Sequence, residues 1–462
     1  MAISTVDGIK AMLKVWYRDG VENLMFRNSP VLMKLNKVRV EGKSQNFSAM
    51  YGRGGAVGGD FTKAKANAST VSKNAEFSVE PGQIFSVYTM NAKEVQASLS
   101  KRGAYMKVAG AKMFSASEAF RKTMGLALYG RGYGELCASG YSTAIVANTA
   151  FDLTLPTDAI MKIDIGSVLV LKTTLATNVV NTKLVVNAIN GNKVNVTPDT
   201  SVASPLATDI ICLDGSMEGT KPILPMGLDG WLPVIKKRDN SESAWTTYIG
   251  TDFFGVDRSI ATDRLAGAFY AETSSTAKKA DSLKALIQKV RRQGSQADLI
   301  IMNDEDFLAF TNEIETTNTF FTQTSTKEKK KATVGFDSIS ASFSTNYIEN
   351  IYDDPYCPKG RFYVLDTTAV EFWSYTNTEK VNDGVVGNEA GKQNPMTMED
   401  EGADNKPYGL IIDDYLNIAP GADGIDGPSV AVTLQCFGSF VVINPSICGV
   451  GEFYGSTDYA CA

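Results

Sequence analysis

Residues 41–97 read EGKSQNFSAMYGRGGAVGGDFTKAKANASTVSKNAEFSVEPGQIFSVYTMNAKEVQA. Two alternating segments, around Ser44 to Tyr51 and Glu76 to Val95, flank a middle rich in Gly, Lys, Ala and Ser. Alternation of period two places successive side chains on opposite faces of a strand, so the stretch predicts a long two-stranded excursion. An isolated ribbon buries too little apolar surface to be stable in water and must lie on other protein. Its glycines, Gly52, Gly54, Gly55, Gly58 and Gly59, invite a phosphate-loop reading. Neither G-x-x-x-x-G-K-[ST] nor G-x-G-x-x-G is satisfied, and a phosphate cradle also needs a helix start after the glycines. They are read as flexible strand and close backbone approach.

Upstream, Ile9, Met12, Leu13, Trp16 and Tyr17 fit one helical face, and Asn28-Ser29-Pro30 ends it before Val31, Leu32 and Leu35 begin another. This reads as an arm with enough apolar surface to need a support. Downstream, Met106, Gly110, Met113, Ser117, Phe120, Met124 and Leu128 recur at intervals of three and four, predicting a long helix from about Leu99 to Tyr129, stopped by Gly130-Arg-Gly132-Tyr-Gly134. Residues 146–221 carry few charges and many Val, Thr, Asn and Ile. Strands are expected at Ser167 to Lys172, Leu184 to Ile189, Lys193 to Thr197 and Asp209 to Leu213, with a tight hairpin at Asn190-Gly191, making a small inserted all-β module.

Beyond it, Ser282 to Arg292 is an amphipathic helix with Leu283, Leu286, Ile287 and Val290 inward, and Asp298 to Met302 is a buried strand. Asn303 caps a second helix whose Asp304, Glu305 and Asp306 suit its positive end, with Phe307, Leu308 and Phe310 facing in. Thr316 to Lys331 reads as a solvated loop. Strands are then expected at Phe362 to Leu365, Ala369 to Ser374, Val430 to Phe437 and Ser439 to Ile443.

Composition removes most chemistry. The 462 residues include no histidine, which excludes Ser-His-Asp and Cys-His pairs, imidazole bases and those zinc sites that need an imidazole. Six dilute cysteines without a C-x-x-C pair read as buried reduced thiols. Acidic groups at Asp353-Asp354, Glu399-Asp400-Glu401, Asp413-Asp414, Asp423 and Asp426 lack the spacing of a calcium loop. They leave open a carbohydrate-active protein using two positioned carboxylates. No signal peptide or apolar run of spanning length is present. Charge is segregated: residues 1–140 hold 20 Lys and Arg against 10 Asp and Glu, residues 351–462 hold 5 against 17. One sequence can thus supply both halves of a head-to-tail interface between copies.

The order of arm, Gly-rich hairpin, long helix and mixed α+β remainder resembles the major capsid proteins of tailed double-stranded-DNA phages, which share the Hong Kong 97-type fold. Local likenesses are ENLMFRNSPVLMKL, GLDGWLPV, VDRSIATDRLAG, QADLIIMNDEDFLAF and GSFVVINPSICGVGEF. Within that family the chain looks most like the proteins of crAss-like phages. The resemblance implies an α+β fold with residues 1–40 as N-terminal arm, 41–97 as E-loop and 98–145 as peripheral domain with a spine helix. Residues 146–221 are the inserted β-rich domain, 222–300 return to the peripheral domain, 301–375 form the axial domain and 376–462 complete both.

It further implies a structural protein, not an enzyme, that assembles with itself as hexamers and pentamers into an icosahedral shell. The expected location is the virion capsid, assembled in the host cytoplasm, with no membrane. Portal, scaffolding and auxiliary proteins are the expected partners, with double-stranded DNA enclosed without sequence-specific binding. An E-loop beginning near residue 41 leaves no room for a long cleaved scaffolding segment, so a separate scaffold is expected. Inter-subunit contacts are expected at Trp16, Tyr17, Tyr51, Arg53, Phe61, Lys63, Lys65, Lys73 and Phe77. The founding member of the family joins an E-loop lysine to a neighbour's asparagine. Lys63, Lys65 and Lys73 lie in that loop, but no matching asparagine or assisting glutamate is found, so non-covalent pairing with acidic neighbours is expected. No cofactor, metal or catalytic residue is expected. An encapsulin-like compartment is the alternative shell.

Overall fold

The computed structural model describes residues 31, 34–40, 42–52, 59–67, 73–91, 108–173, 181–218, 221–234, 252–317, 341–343, 346–348, 350–375, 410–416 and 429–454. Strand β1 (Asn36–Arg39) enters the body, and β2 (Gln45–Gly52), helix α1 (Phe61–Asn67) and β3 (Lys73–Val79) form the ribbon. Then come β4 (Gly82–Asn91) and the long helix α2 (Val108–Leu128). A module follows with β5 (Glu135–Ala138), β6 (Phe151–Thr154), α3 (Thr157–Met161), β7 (Val168–Lys172), β8 (Thr182–Asn190), β9 (Lys193–Pro198) and β10 (Ile210–Leu213).

The small pair β11 (Met217–Glu218) and β12 (Lys221–Pro222) leads to α4 (Leu228–Trp231), α5 (Thr262–Leu265), β13 (Ala268–Ala271), α6 (Lys279–Arg292), β14 (Leu299–Met302) and α7 (Asp304–Thr317). The last third holds β15 (Ala341–Phe343), β16 (Asn346–Ile348), β17 (Asn350–Asp353), β18 (Arg361–Leu365), β19 (Val370–Ser374), β20 (Leu410–Leu416), β21 (Ser429–Val442) and β22 (Gly449–Glu452).

The result is a mixed α+β architecture. One sheet runs β1-β19-β21-β20 with β4 also on β21, a second β13-β22-β18-β14-β17, and a third, that of the module, β5-β10-β7-β8-β9-β6. The largest core gathers Phe77, Phe120, Leu128, Trp231, Phe372 and Phe440. Leu286, Val290, Ile300 and Phe362 centre a second, and Leu169, Leu184, Val194 and Ile211 that of the module.

Four expectations are corrected. The second alternating segment is not one strand: Pro81 divides it, so β3 stays in the ribbon while β4 crosses to the body and pairs with β21 from Gly82 to Asn91. The crossing is close, since a Cβ on Gly82 would sit 2.5 Å from the backbone nitrogen of Pro225. The expected break at Gly438 is likewise absent; β21 is continuous over 14 residues. Gly438 serves packing, because a Cβ there would lie 2.4 Å from the Phe372 ring. The module is not purely β, for it carries α3, and its sheet recruits β5 upstream of residue 146. Leu308 faces solvent at 62% exposure, while Phe310 is buried as expected.

Other readings hold. Asn303 Oδ1 accepts from Glu305 N at 3.0 Å, the expected cap. Phe120, Met124 and Leu128 of α2 are buried in the main core. The arm through Pro30, the start of the long helix before Val108, residues 318–331 of the polar loop, and Glu399, Asp400, Glu401, Asp423 and Asp426 lie outside the described residues.

Candidate functional site

In the ribbon, period two separates two faces. Phe47, Ala49, Tyr51, Ala75, Phe77 and Val79 turn to the body, while Asn46, Ser48, Met50, Asn74 and Glu76 are exposed. The inner face is an aromatic anchor. Phe77 lies 5.1 Å from Phe47 and 5.4 Å from Trp231, and Phe47 meets Trp373 edge-on at 5.7 Å. Trp231 Nε1 donates to the Phe440 carbonyl at 2.7 Å, so the indole is buried without losing its polar partner. The ribbon edge is tied as well: Ser78 N donates to Phe254 O at 2.9 Å, and Arg264 Nη1 to Tyr51 O at 2.5 Å.

The far end of the ribbon is different. Helix α1 does follow the glycines, contrary to the flexible-strand reading, but it is no phosphate cradle. Asp60 Oδ1 accepts from Thr62 N at 2.8 Å and Lys63 N at 3.4 Å, putting a carboxylate where an anion would sit. Phe61, 81% exposed, and Met50, 65% exposed, present apolar side chains to solvent.

The expected contact residues therefore divide. Phe61, Lys63, Lys65 and Lys73 are exposed, and among the described residues no carboxylate forms an ion pair with those lysines. Tyr51 is half-buried against the core. Phe77 is a correction: at 0% exposure it belongs to its own chain's core and has no surface for a neighbour. Trp16, Tyr17 and Arg53 lie outside the described residues.

The sequence reading missed a second open face. In β4, Ile84 is buried and Ser86 Oγ donates to Ala116 O of α2 at 3.2 Å, whereas Phe85 and Val87 point outward, 50% and 57% exposed. Phe85 meets Phe437 edge-on at 5.6 Å, and Tyr375 lies 6.5 Å from Phe437. The signal was present in I-F-S-V, where apolar residues occupy both parities; the reading assigned it to the excursion. Between ribbon and body an open groove of about 500 Å³ is lined by Asn46, Tyr51, Glu76, Phe254, Asp257 and Ile260, among others.

The charged interior is occupied by structural ties. Arg131 reaches Glu135 at 3.0 Å and Asp229 at 3.8 Å, and Arg361 lies 3.5 Å from Asp229. Arg258 caps the end of α4 through Gly230 O at 2.8 Å and lies 3.8 Å over the Phe253 ring. Of the acidic pairs, Asp354 is fully buried and accepts from Tyr129 OH at 2.8 Å and Tyr356 N at 3.0 Å. Burial, then the Asp354 charge, raises the Tyr129 hydroxyl well above its ordinary pKa. Among the described residues no group of three or more acidic or Cys side chains is arranged to hold a metal ion. Cys137, Cys212, Cys357, Cys436 and Cys448 are buried thiols outside any disulfide, and burial pushes Cys436 and Cys448 up to about 12, away from nucleophilic use. Among the described residues no helix is long and apolar enough to cross a membrane.

No family model and no curated protein matches the chain. Similar solved structures include the cyanophage A-1(L) capsid asymmetric unit, 11% identical over 92% of this chain and 92% of that one, with a TM-score of 0.46. A chain of Mycobacterium phage Adephagia is 10% identical over 97% and 98%, at 0.43. One from the holo-SrpI encapsulin complex of Synechococcus elongatus is 8% identical over 93% and 89%, at 0.39.

Proposed function

We propose that this chain is a shell-forming structural protein, the major capsid protein of a tailed phage, assembling as hexamers and pentamers around double-stranded DNA. The observation that carries the reading is the asymmetry of the ribbon. Its root is anchored on its own body through Phe47 and Phe77, yet Phe61 and Met50 stand in solvent, as do Phe85 and Val87 on the outer face of β4. A single copy leaves both apolar surfaces wet, and a closed lattice of identical copies buries them repeatedly. Each such contact is weak alone; repetition around a closed shell makes the sum large.

In this reading the ribbon is the E-loop, α2 the spine helix, and the sheet containing β4 and β21 the peripheral domain. The sheet centred on β18 and β14 belongs to the axial domain, and the β5–β10 module is the insertion. The ribbon of one copy rests on the outer face of β4 in the next. Portal and scaffold proteins complete the head, and its kinship is with the crAss-like group.

Electron microscopy of the purified full chain tests this. Uniform hollow or DNA-filled particles are expected, built from rings of six and five. Particles filled with protein cargo would favour the compartment reading instead. A monomer that persists at high concentration with Phe61 and Phe85 intact would overturn both.

A further inference from the structure

The chain is acidic, with a net charge of -6, yet α6 is strongly basic. Residues 278–292, which take in this helix, hold six Lys and Arg against one Asp. Leu283, Leu286, Ile287 and Val290 bury its inner side in the second core with Ile300 and Phe362. The period of 3.6 then places Lys278, Lys284, Gln288, Arg291 and Arg292 on the solvent side, with Lys289 at its border. All are exposed except the half-buried Arg291. Lys279 turns away, with its Nζ 2.5 Å from Asp306 of α7.

The helix dipole accounts for only part of this charge. A C-terminus carries about half a negative charge, and Lys289, Arg291 and Arg292 bring three positive ones to the last turn. Lys278 stands at the N-terminal cap, the end that the dipole already makes positive, and Lys284 lies mid-helix. Asp281 pairs with Lys284 at 3.2 Å, but both side chains are mostly exposed, so a stronger anion can displace it. Lys289 Nζ donates to Phe269 O at 2.9 Å and keeps its charge at the surface.

What the face lacks selects its partner. Among the described residues it exposes no large apolar side chain, whereas the centre of a protein interface is apolar and depleted in lysine. Five cations and an amide spread along about 21 Å of rigid helix suit instead a phosphate backbone, which is held through charge and side-chain donors. We propose that the solvent face of α6 binds the phosphate backbone of duplex DNA without reading its sequence. The choice of duplex DNA rests on the capsid proposal; the phosphate chemistry rests on the helix alone.

Fluorescence anisotropy of a labelled random-sequence duplex tests this on the full chain, kept as subunits by dilution and checked by sedimentation. With four cations engaged, affinity should fall about a hundredfold between 50 and 200 mM NaCl. Lys284→Gln with Arg292→Gln should weaken binding about tenfold at the lower salt and reduce the salt slope by about two. The charge-keeping exchange Lys284→Arg with Arg292→Lys should bind as the unaltered chain does, and Lys193→Gln with Lys221→Gln, at exposed positions of other elements, should change nothing. Equal weakening by Lys63→Gln with Lys65→Gln would overturn the assignment to α6. Preference for polyglutamate over the duplex would also overturn it, giving the face to an acidic protein. Subunits that bind DNA in this way but never form particles would uphold the site and sink the capsid proposal; particles from a chain that ignores DNA would do the reverse.

Discussion

Phe47 and Phe77 stand opposite each other across β2 and β3, with ring centroids 5.1 Å apart and planes 17° from parallel. This pair fixes which face of the ribbon belongs to its own chain. Trp231, Trp373 and Phe253 close around it, so the ribbon is pinned at the root before any other molecule arrives. What remains for a neighbour is the outer face and the tip.

Removing the anchor and removing the tip should therefore have separable effects. Phe77→Ala opens a cavity in the main core and should cost about 3–5 kcal/mol of subunit stability, measured by chemical denaturation. Phe61→Asp, at an 81% exposed position, should leave stability within about 0.5 kcal/mol and abolish particle formation seen in the electron microscope.

The outer face of β4 makes a matching prediction. Val87→Asp introduces a charge on an already wet surface, so the subunit should denature at nearly the same midpoint. If that face receives a neighbour, the burial of an unpaired carboxylate should block assembly, which sedimentation would report as subunits only.

Acid should weaken the contact between Lys122 of α2 and Asp164 of the module, 2.9 Å apart, in a defined sense. The bond from Lys122 holds Asp164 below the ordinary carboxylate pKa of about 3.9. A depressed folded pKa contributes stability above the unfolded value and loses it as pH falls through the folded one. Asp164→Asn should therefore lower stability at neutral pH by about 0.5 kcal/mol, discounted for solvent screening, and converge with the unaltered chain as the pH falls through and below the ordinary carboxylate range. Thermal melts from neutral pH down through that range measure the convergence.

The thiols should be silent in the native state. With Cys436 and Cys448 pushed up to about 12 by burial and Cys357 also raised, alkylation at mildly alkaline pH should leave all three unmodified by peptide mapping. In denaturant the same three positions should label fully.

Much of the fold was legible along the chain because its signals are local. Alternation predicted strands in the ribbon and module, three- and four-residue spacing predicted α2 and α6, and Asn303 followed by three acids marked the start of α7. The absence of histidine removed whole classes of chemistry without any coordinates.

The placements were not local. Pro81 marks the break between β3 and β4, but that β4 leaves the ribbon for β21 involves Leu224 and Pro225 approaching Gly82 from far along the chain, and β21 runs unbroken through Gly438 against the Phe372 ring. Phe77 was expected at an interface because alternation tells that two faces exist and not which one is covered. Periodicity is a property of consecutive residues, so sequence alone determined the elements and the excluded chemistry. Burial is a property of residues distant in the chain, so only the tertiary structure decided that Phe77 is core, that Phe85 and Val87 are surface, and where a neighbour has room to bind.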